Sequence, residues 1–150
     1  MAIARGAGTE ILRSQLFEAQ DDTPNQILIK GVQHHIYTVI SCTFHSVAVA
    51  TDRNWITMYF VGYDAKAGTS AAAPYFFKQD MSAFQTFVWN DKFSFNGFEP
   101  VDFTGPVDSE AKADAIADQG SGVAQSLWYF TEASGDNCDC ICTFLDQNNS

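Results

Sequence analysis

Helical character is confined to one stretch of the chain, Asp108 to Gln119 (DSEAKADAIADQ), and that restriction decides the fold class. Elsewhere 13 Phe, 5 Tyr and 3 Trp sit among Thr, Val and Ile instead of in Leu-, Ala-, Glu- and Lys-rich blocks. Such residues suit a pleated, half-buried surface. They recur in short runs between Gly, Pro, Asn and Asp punctuation, at intervals typical of sandwiches. The expectation is an all-β domain: an antiparallel two-sheet β-sandwich, jelly-roll-like, with one short helix. No repeat of 20–50 residues is evident, so a propeller or solenoid is not expected. A chain of 150 residues buries roughly 68–70% of its unfolded surface. One core therefore suffices, in a single domain over residues 9–150 preceded by a flexible Ala/Gly arm over residues 1–8 (MAIARGAG).

Thr9 to Phe17 and Gln26 to Val32 read as strands separated by a loop at Asp21 to Asn25. His34 to Ala50 is long for one strand and reads as two, or as one long bent strand. Trp55 to Tyr63 (WITMYFVGY) is apolar on both alternating faces, which makes it either a central strand covered on its outer side or part of a subunit contact. Asp64 to Pro74 (DAKAGTSAAAP) reads as an exposed loop, either ordinary surface or a tip that touches a partner. Further strands are expected at Tyr75 to Lys78, Phe84 to Trp89 and Lys92 to Phe98, the last ending in an Asn96-Gly97 turn. Glu99 to Val107 holds two prolines and should cross irregularly between sheets, with Asp108 or Ser109 capping the helix and Gly120-Ser-Gly122 closing it. Ser126 to Ala133 and Cys138 to Asp146 read as a hairpin around Ser134 to Asn137, followed by a frayed tail, Gln147 to Ser150.

Cys138, Cys140 and Cys142 alternate strictly and share one strand face with Phe144. Three thiols along a straight strand lie roughly 6.5–7 Å from one to the next, too far apart to converge on a tetrahedral ion. They read as small core-facing hydrophobes, with a metal or a disulfide as the other readings, and Cys42 as another buried thiol.

Charge is distributed unevenly. Of the formal net charge of −10, residues 1–98 carry −1 and residues 99–150 carry −9, with Lys112 the lone cation of the second segment. Such a distribution repels phosphate backbones and argues against nucleic-acid binding. It reads either as a solvated acidic face or as a surface that docks on a basic partner. No stretch approaches the ~18–20 apolar residues that span a bilayer, and the start lacks a basic n-region followed by an apolar run. Neither membrane insertion nor secretion by a leader is expected, so the product is expected to be made in the cytoplasm.

No catalytic signature stands in the chain. There is no G-x-S-x-G elbow, no EF-hand spacing and no phosphate-cradling loop that opens a helix. Adjacent His34 and His35 point to opposite faces of a strand, and His45 lies ten residues on. These histidines do not make a cupin-type centre, which leaves a metal shared across a symmetry axis or one ring buried and hydrogen-bonded. Asp21, Asp22 and Asp64 remain as isolated calcium candidates. Trp55, Trp89 and Trp128 would form a sugar platform if two of their rings lay exposed and coplanar. The expectation is a protein with no catalytic residues, no cofactor and no bound metal.

The Ala/Gly arm (MAIARGAGTEILRS), the aromatic-rich sandwich and the segments GVQHHIYTVIS, FVWNDKFSFNGFEP and ADAIADQGS together resemble the small virion structural proteins of tailed bacteriophages. The resemblance spans nearly the whole chain. It implies a capsid decoration or cement protein, a homo-oligomer, often a trimer, which binds a major capsid or other virion protein and ends up in the virion after synthesis in the host cytoplasm. The extended termini of such proteins imply contacts through the arm, at Ile3, Arg5 and Arg13. The doubly apolar strand adds Trp55, Met58, Tyr59 and Tyr63, and the following loop adds Ala71 and Pro74. A carbohydrate-binding module using exposed Trp or Tyr is the alternative, and a jelly-roll enzyme with a concave, perturbed pocket is the third reading.

Overall fold

The computed structural model describes residues 8–20, 25–50, 53–100, 105–118, 122–133 and 135–149. In chain order the elements are β1 (Thr9–Gln20), β2 (Gln26–Lys30), β3 (His35–Ala48), β4 (Asn54–Asp64), β5 (Thr69–Met81), β6 (Thr86–Trp89), β7 (Phe93–Asn96), β8 (Phe98–Pro100), α1 (Glu110–Asp118), β9 (Gly122–Ala124), β10 (Ser126–Thr131) and β11 (Asn137–Asn148). A first sheet has the order β1-β11-β3-β6, with β7 also pairing β3, and a second has the order β2-β10-β4-β5; β8 and β9 form a small third sheet. All pairs are antiparallel.

The pairings are nested. β4 pairs β5, β3 pairs β6 and β7, β2 pairs β10, and β1 pairs β11. The chain is thus one long antiparallel ribbon doubled back at the β4–β5 turn and wrapped so that successive strand pairs alternate between two facing sheets. That is the jelly-roll arrangement expected from the sequence.

Several local expectations are revised. Of the two readings of His34 to Ala50, the single long strand holds: β3 runs over His35–Ala48 and absorbs its length through register shifts against β11. Only Ala65–Gly68 turns where Asp64 to Pro74 was expected to loop. There the Asp64 carboxylate accepts from the N–H groups of Lys66 (2.9 Å) and Ala67 (3.2 Å), and Gly68 takes φ +75°. From Thr69 onward the small residues extend β5, an edge strand, and Pro74 falls in its irregular stretch, where no ladder N–H is required. Ser126 to Ala133 and Cys138 to Asp146 do not form the expected hairpin, because β10 and β11 lie in different sheets. The tail holds as well: β11 continues to Asn148, and the Asn149 N–H donates to the His34 carbonyl at 2.8 Å. Glu99 and Pro100, read as the start of an irregular crossing, belong with Phe98 to β8 and pair with β9.

The core lies between the two large sheets and matches small with large. Cys138, Cys140, Cys142 and Cys42 face inward from the first sheet, all fully buried. Phe44 meets Tyr129 of β10 at 5.4 Å and Phe77 of β5 at 5.3 Å, each edge to face. Toward the other end Phe60 of β4 meets Phe93 and Phe95 of β7 at 5.3 and 5.2 Å. At that end Gly31 and Gly97 bring backbone against backbone. A Cβ on Gly31 would collide with the Gly97 and Gln125 carbonyls, which explains glycine there.

Candidate partner-contact surfaces

Alternation along β4 sorts the sequence-derived contact residues into two groups. Ile56, Met58 and Phe60 point to the core, and Met58 is 0% exposed, leaving it no surface to offer a partner. Trp55, Thr57 and Tyr59 point outward from the second sheet. The two neighbours of β4, β10 and β5, then cover them: Tyr59 stacks with Trp128 (6.2 Å) and meets Phe130 (5.7 Å) and Tyr75 (6.1 Å) edge on, which leaves it only 8% exposed. Asn25 donates its amide to the Tyr59 hydroxyl at 3.1 Å, and burial pushes that phenol above its ordinary pKa. Trp55 lies under the Lys78 ammonium (5.1 Å), which also pairs with Glu132 at 3.0 Å, and Arg53 pairs with Asp80 at 2.9 Å. A strand apolar on both faces is therefore accommodated as a central strand whose outer side is closed by rings and ion pairs of its own sheet.

The remaining contact residues are dispersed. Arg13 is exposed on β1, Ala71 pairs with Gly62, and Pro74 is exposed on β5. Tyr63 is half-buried at the end of β4, where its N–H donates to the Gln125 side chain at 3.0 Å. Ile3 and Arg5, with the rest of the arm before Gly8, lie outside the described residues.

The outer face of the first sheet contributes what the sequence reading missed. Leu12, Ser14 and Leu16 of β1 stand beside Leu145, Thr143 and Ile141 of β11, and these beside Thr38, Ser41 and Thr43 of β3. Val88 and Ser94 complete the rows on β6 and β7. Leu12 is 64% exposed, Leu16 65% and Ile141 47%. Between Glu10 at one end and Asp139 at the other these rows hold no charged side chain. Cross-strand hydroxyl pairs stiffen the face, Ser14 with Thr143 at 3.1 Å and Thr38 with Ser94 at 2.9 Å. An uncharged face four strands wide on a chain of net charge −10 is suited to a protein contact. Its sequence signal was the alternation opposite the thiols, which sends Ile141, Thr143 and Leu145 outward.

The candidate chemical residues do not converge. His34 takes φ +63° in the turn before β3 and lines a hollow of about 520 Å³ with Ile36, Asn96, Glu99, Ile116 and Asn149. His35 Nδ1 instead contacts Asp146 Oδ1 at 2.7 Å. Burial raises the Glu99 carboxyl above its usual range, opposed by the Asn96 amide. Among the described residues no three His, Cys, Asp or Glu side chains are placed to hold a metal ion. Asp64 is occupied by its turn, and Asp21 and Asp22 lie outside the described residues. Trp89 is buried in the core, and Trp128 donates its indole N–H to Ser126 Oγ at 2.7 Å. The exposed Tyr75 ring crosses Tyr59 at 69° and Phe130 at 68°, and the stacked pair of Tyr59 with Trp128 has its Tyr59 ring only 8% exposed, so no two of these rings are both exposed and coplanar. No helix among the described residues is long and apolar enough to cross a membrane.

No protein-family model matches this sequence, and no curated protein matches it. Among solved structures, a chain from the endospore appendages of Bacillus, described as forming a novel family of disulfide-linked pili, aligns over 100% of this chain and 97% of its own length, at 10% identity and a TM-score of 0.44.

Proposed function

We propose that the protein is a non-enzymatic structural subunit of a virion, a decoration or cement protein that oligomerises and binds the capsid shell to stabilise it. The observation that supports this reading is the outer face of the first sheet, where Leu12, Leu16, Ile141 and Val88 stand exposed among hydroxyls with no charge between them. A face so built loses little by desolvation when a flat protein surface covers it. The acidic remainder keeps free subunits soluble until they dock. The oligomer expected from the phage resemblance is a trimer, with Arg13, Tyr63, Ala71 and Pro74 and the arm at Ile3 and Arg5 serving subunits or shell, while Trp55 and Tyr59, covered within their own sheet, drop out of the contact set.

The direct test is co-sedimentation of the purified protein with expanded, undecorated shells of the phage that encodes it, together with mass spectrometry of the purified particles. A fixed copy number per shell and presence in the particle are expected. Absence from the particle together with failure to sediment would overturn the reading. Retention on a glycan array through Tyr75 and Trp128 would put the carbohydrate-binding alternative in its place.

A further inference from the structure

β1 is the edge of the first sheet: it pairs β11 on one side, and its other side has no strand among the described residues. The register against β11 runs without interruption from Thr9 to Phe17, so this part of the edge is straight and regular. Its sequence, EILRSQLFE, is a palindrome in character about Ser14. Glutamates stand at both ends, then Ile11 and Phe17, Leu12 and Leu16, and Arg13 and Gln15.

We infer that β1 pairs antiparallel with β1 of a second copy about a two-fold axis at Ser14, joining the two first sheets into one continuous sheet. A two-fold contact requires a surface that complements itself, residue i meeting j while j meets i. Opposed residues of an antiparallel pair point to the same side, and centring on Ser14 matches every position from Ile11 to Phe17, with only the terminal Glu10 and Glu18 opposed as like charges. On the outer side Leu12 of each copy meets Leu16 of the other. On the inner side Ile11 meets Phe17, and Arg13 meets the Gln15 amide. Moving the centre by one residue sets Leu12 against Glu18, or Arg13 against Arg13. The inner side also has room: a groove of about 530 Å³ between β1 and β2, lined by Gln15, Leu16, Phe17, Ile27, Leu28 and Lys30, opens where Ile11 of the second copy would lie.

The area bounds the strength. Seven paired residues span about 24 Å, and such an edge with its flanking side chains falls short of the 1,200–2,000 Å² of a standard stable interface. Weak, concentration-dependent association is expected. Glutamates at both ends of the pair repel across the axis, so added salt should tighten it.

The pairing stands apart from the virion reading. A chain that stays monomeric yet binds shells overturns the first and leaves the second; a dimer absent from particles does the reverse. The experiment is sedimentation velocity on the full chain over a concentration series, combined with cysteine cross-linking. Ser14→Cys lies on the axis and should form an inter-subunit disulfide under mild oxidation by glutathione disulfide. Two thiols lose their hydrogens to one S–S bond, and the oxidant leaves as two reduced glutathiones. Thr43→Cys, two strands in from the edge on the same face, should not cross-link. Leu12→Lys combined with Leu16→Lys should weaken dimerisation at least tenfold, with an unchanged melting curve showing that the fold holds. A chain monomeric at all concentrations, equal cross-linking of Ser14→Cys and Thr43→Cys, or an oligomer indifferent to the double lysine variant would each overturn the inference.

Discussion

The two large sheets treat their outer faces in opposite ways. On the second sheet Tyr59, Tyr75, Trp128 and Phe130 close over β4, and Lys78 with Glu132 covers the next row. On the first, Leu12, Leu16 and Ile141 stand in solvent between hydroxyl pairs. The more apolar strand is thus the better covered, and the more modest pattern is the open one. Large side chains on three adjacent strands of one face bury one another, whereas isolated aliphatics among Ser and Thr have nothing to fold over them. A run of apolar residues is accordingly a poorer guide to a contact surface than exposed Leu or Ile on an edge.

The largest effect that bears on this contrast comes from the inward side of β4. Met58→Ala should cost about 2–5 kcal/mol in urea unfolding; a loss near zero would mean that β4 does not face the core there. Tyr59→Ala, one residue on and outward, should still cost about 2–3 kcal/mol, because the ring anchors a buried cluster. If it proved neutral, the second sheet's face would be as open as the first's.

Glu99, at the end of the sandwich and on neither face, serves as a control. Burial raises its folded-state pKa above the unfolded value, so the folded chain holds the proton longer and stability falls as pH rises through the interval between the two values. Glu99→Gln should flatten that slope and add less than about 1 kcal/mol near neutrality, since half the group is solvated. Thermal melts at pH 4 and pH 7 would show it, and an unaltered slope would contradict it.

Lys78→Ala removes both the contact over Trp55 and the pair with Glu132, and should cost about 0.5–1 kcal/mol, less at high salt. Smallest of all, Leu16→Thr on the open face should leave folding stability within about 0.5 kcal/mol while weakening association. A large loss of stability would show that the first sheet's face is already covered within the subunit.

Much of the fold was legible because strand physics is local. Alternation placed Cys138, Cys140, Cys142 and Phe144 on one inner stripe, and β4 was recognised as a strand that could not be wet on both sides. Cues that depend on neighbours misled. The small residues Thr69 to Pro74 look like a loop until β4 pairs them into an edge strand, and the turn at Ser134 to Asn137 looks like a hairpin until β10 and β11 are assigned to different sheets. The open face proposed as a contact surface was the least legible part, because the exposure of Leu12 and Leu16 follows from β1 being an edge, which only the sheet order reveals.

That sheet order also constrains how the molecule comes into being. β11 lies between β1 and β3, yet it is the last of these strands to leave the ribosome. Until Asn137–Asn148 emerges, the earliest strand of the first sheet has no pairing partner in that sheet, and one edge of β3 lacks its thiol-bearing neighbour. Folding is therefore expected to be dominated by sequence-distant pairings and to be slow, completing only after synthesis of β11. A nascent chain stalled before Cys138 should remain open to protease and prone to aggregate.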